Sequence, residues 1–451
     1  MVFNRDYKLE QYALNAPWDS YPDDVQERAC ACAIDLFGAL ILGSQGEQFK
    51  VGLKLAKQLG LAGETPILGA NDTFNMLGAS IAMGHSSNSF DIDDGLNLIK
   101  GHPGTSFIGG FLAAALKKNI PYKDFLTILV KGYEITIRWA LSMQDHYGYL
   151  HSTGTYGSFG TALTQGLVIG LSKEQLNNAL SIADFHAPIT PVMRAVEYPS
   201  MNKDGVPFGV MIGTMSVLET EAGETGRTHL LEMPEYAHYL ESLGKKFYIQ
   251  NLYFKPYTCC RWAHQPIYAC QQVMKAENFS YEQIDRVVIN TFDSAARLYK
   301  EVPHDTDEAQ YNIAFPVAAS LVYGDVGFAQ INNQAVRDKT VLEMMKRLEF
   351  RLDPEMEKEF PEKRLAWVEI ILKDGKRYKS KVYEAPGEHT DPELNTNWII
   401  RKFHRITSPI LSDRGQDEIL KLLCRCSEIP MREIVACVNR HLDQHGEVIQ
   451  Q

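Results

Sequence analysis

Gly109-Gly110-Phe111-Leu112-Ala113-Ala114-Ala115 reads as a helix that packs backbone against backbone, because its side chains are too small to hold neighbours at a distance. It lies within a region, from about Asp23 to Leu243, where apolar residues recur at helical spacing almost without interruption. Val25 to Leu42, Phe107 to Leu116, Tyr122 to Met143, Thr161 to Leu171 and Val206 to Leu218 are its clearest segments. No clear strand interrupts them, so this half is expected to be an all-α core.

The texture changes near Tyr253-Phe254-Lys255-Pro256-Tyr257. Ile284 to Phe292 has the β-branched alternation of a strand, and Lys373-Asp374-Gly375-Lys376 between two apolar runs signals a hairpin. With Leu348 to Leu352 and the helical Ile313 to Val322 and Asp338 to Arg347, these predict an α+β unit with an antiparallel sheet covered on one face. Helical spacing returns after about Asn395, in Trp398 to Phe403, Gln416 to Leu423 and Met431 to Leu442. The expected fold is therefore mainly α. An all-helical domain is formed by residues 1–252 and 396–451, and an α+β lid domain, 253–395, is inserted between them. Such a junction is a natural place for a cleft.

A chain of 451 residues can bury a large core, and 45% hydrophobic with 22% charged residues describes an ordinary globular protein. The net charge of −11, with no Lys/Arg run, argues against a nucleic-acid partner. Positive charge for an anionic substrate must then be local, with Lys203, Arg194 and Arg261 as candidates. Eight cysteines form no C-x-x-C pair, the start is polar, and no apolar run is long enough for a membrane span. No membrane association and a cytoplasmic location are expected.

Four distant stretches carry residues suited to proton chemistry on a carboxylate. The first runs from His85 through Asp91-Ile92-Asp93-Asp94 to His102-Pro103. Three acids beside two histidines imply a hydrogen-bonded network that holds an imidazole in one tautomer, although Asp and Asn also cap helices. Pro103 suits the first position of a helix, which places His102 at a helix N-terminus and predicts a neutral imidazole. An EF-hand fails for want of its Glu, and zinc on His85, Asp91 and His102 lacks a closed ligand pattern.

The second stretch, His151-Ser152-Thr153-Gly154-Thr155-Tyr156-Gly157-Ser158-Phe159-Gly160, reads as a loop leading to a helix at Thr161. It suits a carboxylate or a simple cap, and its partial G-x-S-x-G follows no strand. Lys203, before Asp204-Gly205, can neutralise a carboxylate or an enolate, against the simpler reading of a surface lysine. Arg261-Trp262-Ala263-His264 is the fourth stretch; Cys259 and Cys260 read as packing thiols, and His186 stands alone.

Taken together, these stretches resemble the MmgE/PrpD family, which includes 2-methylcitrate dehydratases, cis-aconitate decarboxylase and iminodisuccinate epimerase. The resemblance rests on His85, the Asp91-Ile92-Asp93-Asp94 run, His102-Pro103, His151, Lys203-Asp204-Gly205, and Lys255-Pro256-Tyr257 leading to Cys260 and His264. It implies a homodimer, no metal and no organic cofactor. It also implies Asp91, His102, His151 and Lys203 as catalytic residues, with His85, Asp93 and Asp94 in support at the substrate; Arg261 and His264 join these as substrate-binding candidates from the fourth stretch. The expected reaction is elimination of water next to a carboxylate of a small polycarboxylate of the 2-methylcitrate type, with epimerisation, decarboxylation or a non-catalytic binding role as alternatives. Gly95 stands where many members have Thr, the run to His102 is about one residue short, and Phe315 fills the place of an active-site tyrosine of some members.

Overall fold

The structure, a computed structural model, describes residues 7–449, with side chains through residue 442. The helices Met76–Ser87, Pro103–Lys118, Thr153–Ile169 and Val206–Ala222 pack on one another at its centre. Every residue from Pro103 to Leu116 is buried, so this helix is apolar on all sides because it has no solvent face. Gly109 sets the closest approach: a Cβ there would stand 2.4 Å from the Gly84 backbone nitrogen, so any side chain would push the two helices apart. Pro103 occupies the first turn, where its missing N–H costs nothing, and Asn119 in a left-handed conformation ends the helix.

Two expectations for this half are corrected. An antiparallel hairpin, β1 (Ala62–Ile67) and β2 (Ala70–Phe74), interrupts the helices and turns at Gly69 (φ +93°). An isolated two-stranded hairpin is marginal. This one is tied to the Met431–Ile449 helix by Asn439, whose Oδ1 accepts from Gly69 N at 2.8 Å and whose Nδ2 donates to Ile67 O at 2.8 Å. The helix expected from Thr161 starts at Thr153. Its polar first turns are helical because their hydroxyls find carbonyls, as in Thr155 Oγ1 to Pro188 O (2.6 Å) and Ser158 Oγ to Thr155 O (2.8 Å).

The five-stranded sheet centres on β5 (Ile284–Thr291) and β7 (Leu365–Leu372), which pair antiparallel with Ile289 opposite Val368. β6 (Leu348–Leu352) flanks β5, and β8 (Arg377–Lys379) and β9 (Tyr383–Glu384) both pair with β7. The sheet is mixed, not antiparallel throughout, because β5 and β6 run parallel. Their connection passes through the helices Ala314–Tyr323 and Lys339–Met345, long enough for a parallel crossover. β7 and β8 turn at Asp374-Gly375, with Gly375 at φ +86°. The His264–Glu277 helix packs on β7 and β5.

A short pair of strands, β3 (Asp94–Gly95) and β4 (Tyr253–Phe254), joins the acidic loop to the chain that leads into the sheet. From the C-terminal side, Lys402 on the Thr396–Thr407 helix donates to Ile92 O and to Asp35 Oδ1, fixing the same loop from behind. Among the described residues, no single helix is long and apolar enough to cross a membrane.

Candidate active site

Met76–Ser87 ends at Asn88, and the chain then turns through Asp91, which adopts φ +49°. A non-glycine residue rarely takes this conformation, and it persists where surrounding contacts impose it. Here the contacts are those of Lys255, whose ammonium lies 2.6 Å from Asp91 Oδ1 and 2.9 Å from the Asp91 carbonyl. Asn88 Nδ2 donates to Asp93 Oδ1 at 3.0 Å. Asp94 Oδ2 accepts from the Tyr133 hydroxyl at 2.5 Å and its Oδ1 from Gly104 N at 3.2 Å, so Asp94 anchors the start of the Pro103–Lys118 helix. All of these acids are buried.

His102 caps that helix and is the centre of the arrangement, 8% exposed. Its Nδ1 donates to the Asp94 carbonyl at 2.7 Å and lies 3.2 Å from Asp93 Oδ2. Its Nε2 makes no hydrogen bond, standing 3.7 Å from Asp91 Oδ1 and 3.6 Å from Asp204 Oδ2. Asp204 is held in turn by the Tyr311 hydroxyl at 2.8 Å.

The expected neutral imidazole is corrected. Burial and the Lys255 charge push the His102 pKa down, but the Asp93 carboxylate outweighs them and the net shift is upward, to about 10. Asp93 moves the opposite way, to about 2, because His102 and Lys255 overcome the effect of its burial. Asp94 is raised to about 7, chiefly by burial, with Asp93 and Asp35 adding to the rise. At neutral pH His102 is an imidazolium with an unbonded N–H between two carboxylates.

The other predicted residues divide. His151 lies just before the Thr153–Ile169 helix, whose Thr153 Oγ1 is 3.4 Å from His102 N. Its ring stacks on Tyr149 at 4.3 Å, neither nitrogen makes a hydrogen bond, and burial lowers its pKa. Lys203, at φ +40°, is buried and already held by Asp307 Oδ1 (3.0 Å), Gln310 Oε1 (2.7 Å) and the carbonyls of Asn88 and Ser89. Arg261 is held by Glu388 Oε1 (2.6 Å), and its Nη1 donates to His264 Nδ1 at 3.2 Å. Burial, then Arg261 and Lys255, keep His264 well below its usual pKa, so it is a neutral link in the packing. His85 is spent within its own helix, bonding Ile81 O at 2.8 Å and packing against Gly52. Arg194 and His186 are exposed. Burial lifts Cys260 to about 12 and holds Cys259 well above its usual value, which leaves neither as a nucleophile.

Sequence reading missed Asp204, Lys255, Tyr311 and Tyr253. Lys255 was visible as part of Lys255-Pro256-Tyr257 but not as the partner of Asp91. Phe315 is fully buried, and a tyrosine hydroxyl reaches the cluster from Tyr311, four residues earlier, which donates to Asp204. Gly95 has a parallel explanation: a Cβ there would lie 2.2 Å from both Cζ and the hydroxyl oxygen of Tyr253, so the phenol occupies that space.

Ligand atoms of Asp91, His102 and Asp204 lie within 4.8 Å of one another, close enough for one cation. The Lys255 ammonium already provides positive charge at Asp91, and an imidazolium at His102 would oppose an ion, so the donor set does not fit one as it stands.

Residues 7–247 match the MmgE/PrpD N-terminal domain and residues 257–426 the MmgE/PrpD C-terminal domain. The chain belongs to the MmgE/PrpD family. Within the family it is 22% identical to the cis-aconitate decarboxylase-like protein oryM of Aspergillus oryzae, over 93% of this chain and 94% of that protein. It is 23% identical to the cis-aconitate decarboxylase of Homo sapiens, over 89% and 87% of the two chains, and 23% identical to that of Mus musculus, over 86% and 84%. These MmgE/PrpD relatives are matched along nearly their whole length.

Proposed function

We propose that this protein is a lyase acting at the carbon next to a carboxylate of a small polycarboxylate, with His102 as the proton donor. The observation that carries the reading is the geometry about His102: Nε2 unbonded between Asp91 and Asp204, and Nδ1 beside Asp93, the carboxylate that raises the ring's pKa. An acid already protonated at neutral pH suits a reaction that begins by delivering a proton.

Decarboxylation of an unsaturated tricarboxylate of the cis-aconitate type meets that requirement, in keeping with the named relatives. The alkene carbon takes the proton of His102. The C–C bond to a departing carboxylate, β to the alkene, breaks; its electron pair forms the new double bond, carbon dioxide leaves, and solvent reprotonates His102. Lys255 holds Asp91 and Tyr311 holds Asp204 beside Nε2, while the Asp93 carboxylate at the other ring nitrogen keeps the imidazole charged.

Dehydration of the 2-methylcitrate type is the second reading, favoured by His151. With its pKa lowered and both nitrogens unbonded, His151 suits a base that removes an α-proton while His102 protonates the leaving hydroxyl. Return of the proton to the opposite face would make the same pair an epimerase. Lys203 and Arg261, each held by protein carboxylates, serve as positioning residues. We also propose that the sheet-bearing segment acts as a lid. The chain pairs with a second copy through Phe208 and Met215, exposed on the Val206–Ala222 helix, and Tyr198 and Met201 before it. A dimer mass by light scattering that F208D halves would agree; a monomeric wild type would refute the pairing.

The deciding experiment is NMR in D₂O with cis-aconitate, 2-methylcitrate, citrate and iminodisuccinate. Deuterium in a decarboxylated alkene supports the first reading, and an alkene that keeps its carboxylates supports the second. Wash-in at an α-carbon without elimination marks an epimerase, and no change in any compound overturns the lyase assignment.

A further inference from the structure

Three cationic side chains gather where the loop after β3 meets the chain before β7 and after β9. They are Arg261, Arg364 and Lys100. Lys100, at φ +50°, donates to Pro361 O at 2.7 Å and to Asn97 O. One fully buried carboxylate serves the group: Glu388, whose Oε1 takes Arg261 at 2.6 Å and whose Oε2 accepts from Asn97 Nδ2 at 3.1 Å. Against the effect of burial, Arg261 and then Arg364 hold the Glu388 carboxyl below its usual range, so its charge is already committed.

Arg364 is left over. It is 1% exposed, its Nε and Nη1 are buried without hydrogen-bond partners, and among the described residues no carboxylate oxygen lies within 4.0 Å of it. Half-buried Glu384 is within electrostatic range but forms no ion pair with it. The guanidinium lies 5.1 Å from the centroid of the Tyr253 ring, which Arg261 also meets at 4.6 Å. A buried guanidinium without an ion pair is costly, and a cation–π contact does not replace the missing carboxylate. Lys100 feels the same surplus: burial, and then Arg364 beside it, lower its pKa to about 7.

Tyr253 ties this surplus to the catalytic cluster. Its ring faces the arginines, while its hydroxyl lies over Gly95, the residue after Asp94, whose carbonyl accepts from His102. We infer that Arg364, with Lys100 and against the Tyr253 ring, forms a subsite for a substrate carboxylate other than the one at the reacting carbon. The inference rests on the lyase reading for what the substrate does, but not for how it binds. It makes the substrate a di- or tricarboxylate whose unreactive end is recognised through the planar fork of Arg364, and it makes monocarboxylates poor ligands.

The test uses the full-length protein and tricarballylate, a saturated tricarboxylate that offers no alkene or hydroxyl to react, titrated calorimetrically with acetate as control. Wild type should bind tricarballylate and not acetate, and R364Q should bind it at least tenfold more weakly. R364K, which keeps the charge but loses the fork, should fall between, and K363Q on the exposed neighbour should match wild type. If R364Q is poorly folded, R364K carries the test, and wild-type affinity in R364K overturns the proposal. So does a wild type that ignores tricarballylate, or an R364Q that binds normally while melting earlier, which would make Arg364 a packing residue. Turnover of the NMR panel with an unchanged KM in R364Q would sink the subsite and leave the lyase standing. Arg364-dependent binding without turnover would do the reverse.

Discussion

His102 and His151 stand at the starts of two packed helices, Pro103–Lys118 and Thr153–Ile169, and both are buried. A helix N-terminus and burial each disfavour the imidazolium. Yet His102 rises to about 10 while His151 falls. The difference lies in the neighbours: His102 has Asp93 at 3.2 Å and two further carboxylates within 3.7 Å, whereas His151 has aromatic rings. A close, desolvated charge outweighs the dipole of the helix on which a residue sits. The same fold can therefore raise the pKa of one histidine and lower that of another at neighbouring helix starts.

The hardest test of the contrast is removal of each ring. H102N should lower kcat on the order of 10³-fold, with circular dichroism unchanged. H151N should cost about 10²-fold if a base is needed and far less if decarboxylation needs only an acid. A subtler test is D93N. Without that charge the His102 pKa should drop, moving the alkaline limb of the kcat–pH profile down by at least about one unit. A loss of activity with an unmoved limb would show that Asp93 merely packs.

Stability should follow the same charges. Because His102 is raised from 6.5 to about 10, its contribution is fully present below pH 6.5 and is lost as pH rises through about 10. Asp93, depressed from 3.8 to about 2, contributes above 3.8 and loses that contribution as pH falls through about 2. Thermal unfolding of wild type should decline across the alkaline interval more than that of H102N; parallel curves would refute the ion pair. The smallest effect belongs to a third histidine. His85 bonds within its own helix, so H85Q should leave kcat within about twofold, and a larger loss would bring it back into the site.

The helices were legible because their apolar spacing and small residues leave few alternatives, as in Gly109 against Gly84. The β1–β2 hairpin was not, since it exposes much of its length and depends on Asn439, 370 residues from Gly69. The parallel β5–β6 pair was hidden for a similar reason: strand direction is a property of the crossover and leaves no mark on either strand. In the site, Asp91, Asp93 and His102 announced themselves by their density along the chain. Asp204, Lys255 and Tyr311 did not, because each reaches the cluster from another element. Charge state was misread on the same account: the helix start of His102 was visible, while the geometry of Asp93 about its ring was not.

Lys402 gives the site an order of assembly. It closes on Asp35 and on the Ile92 carbonyl, joining residues 367 and 310 positions apart in the chain. Contacts of such separation form late, after much loop entropy has been lost. The acidic loop precedes both Lys255 and Lys402 in the chain, so synthesis delivers its carboxylates before either lysine that pairs with this region. The charge balance of the candidate site is thus complete only once residue 402 is made, and a chain stopped before it would carry every acid of the site and still lack the clamp behind them.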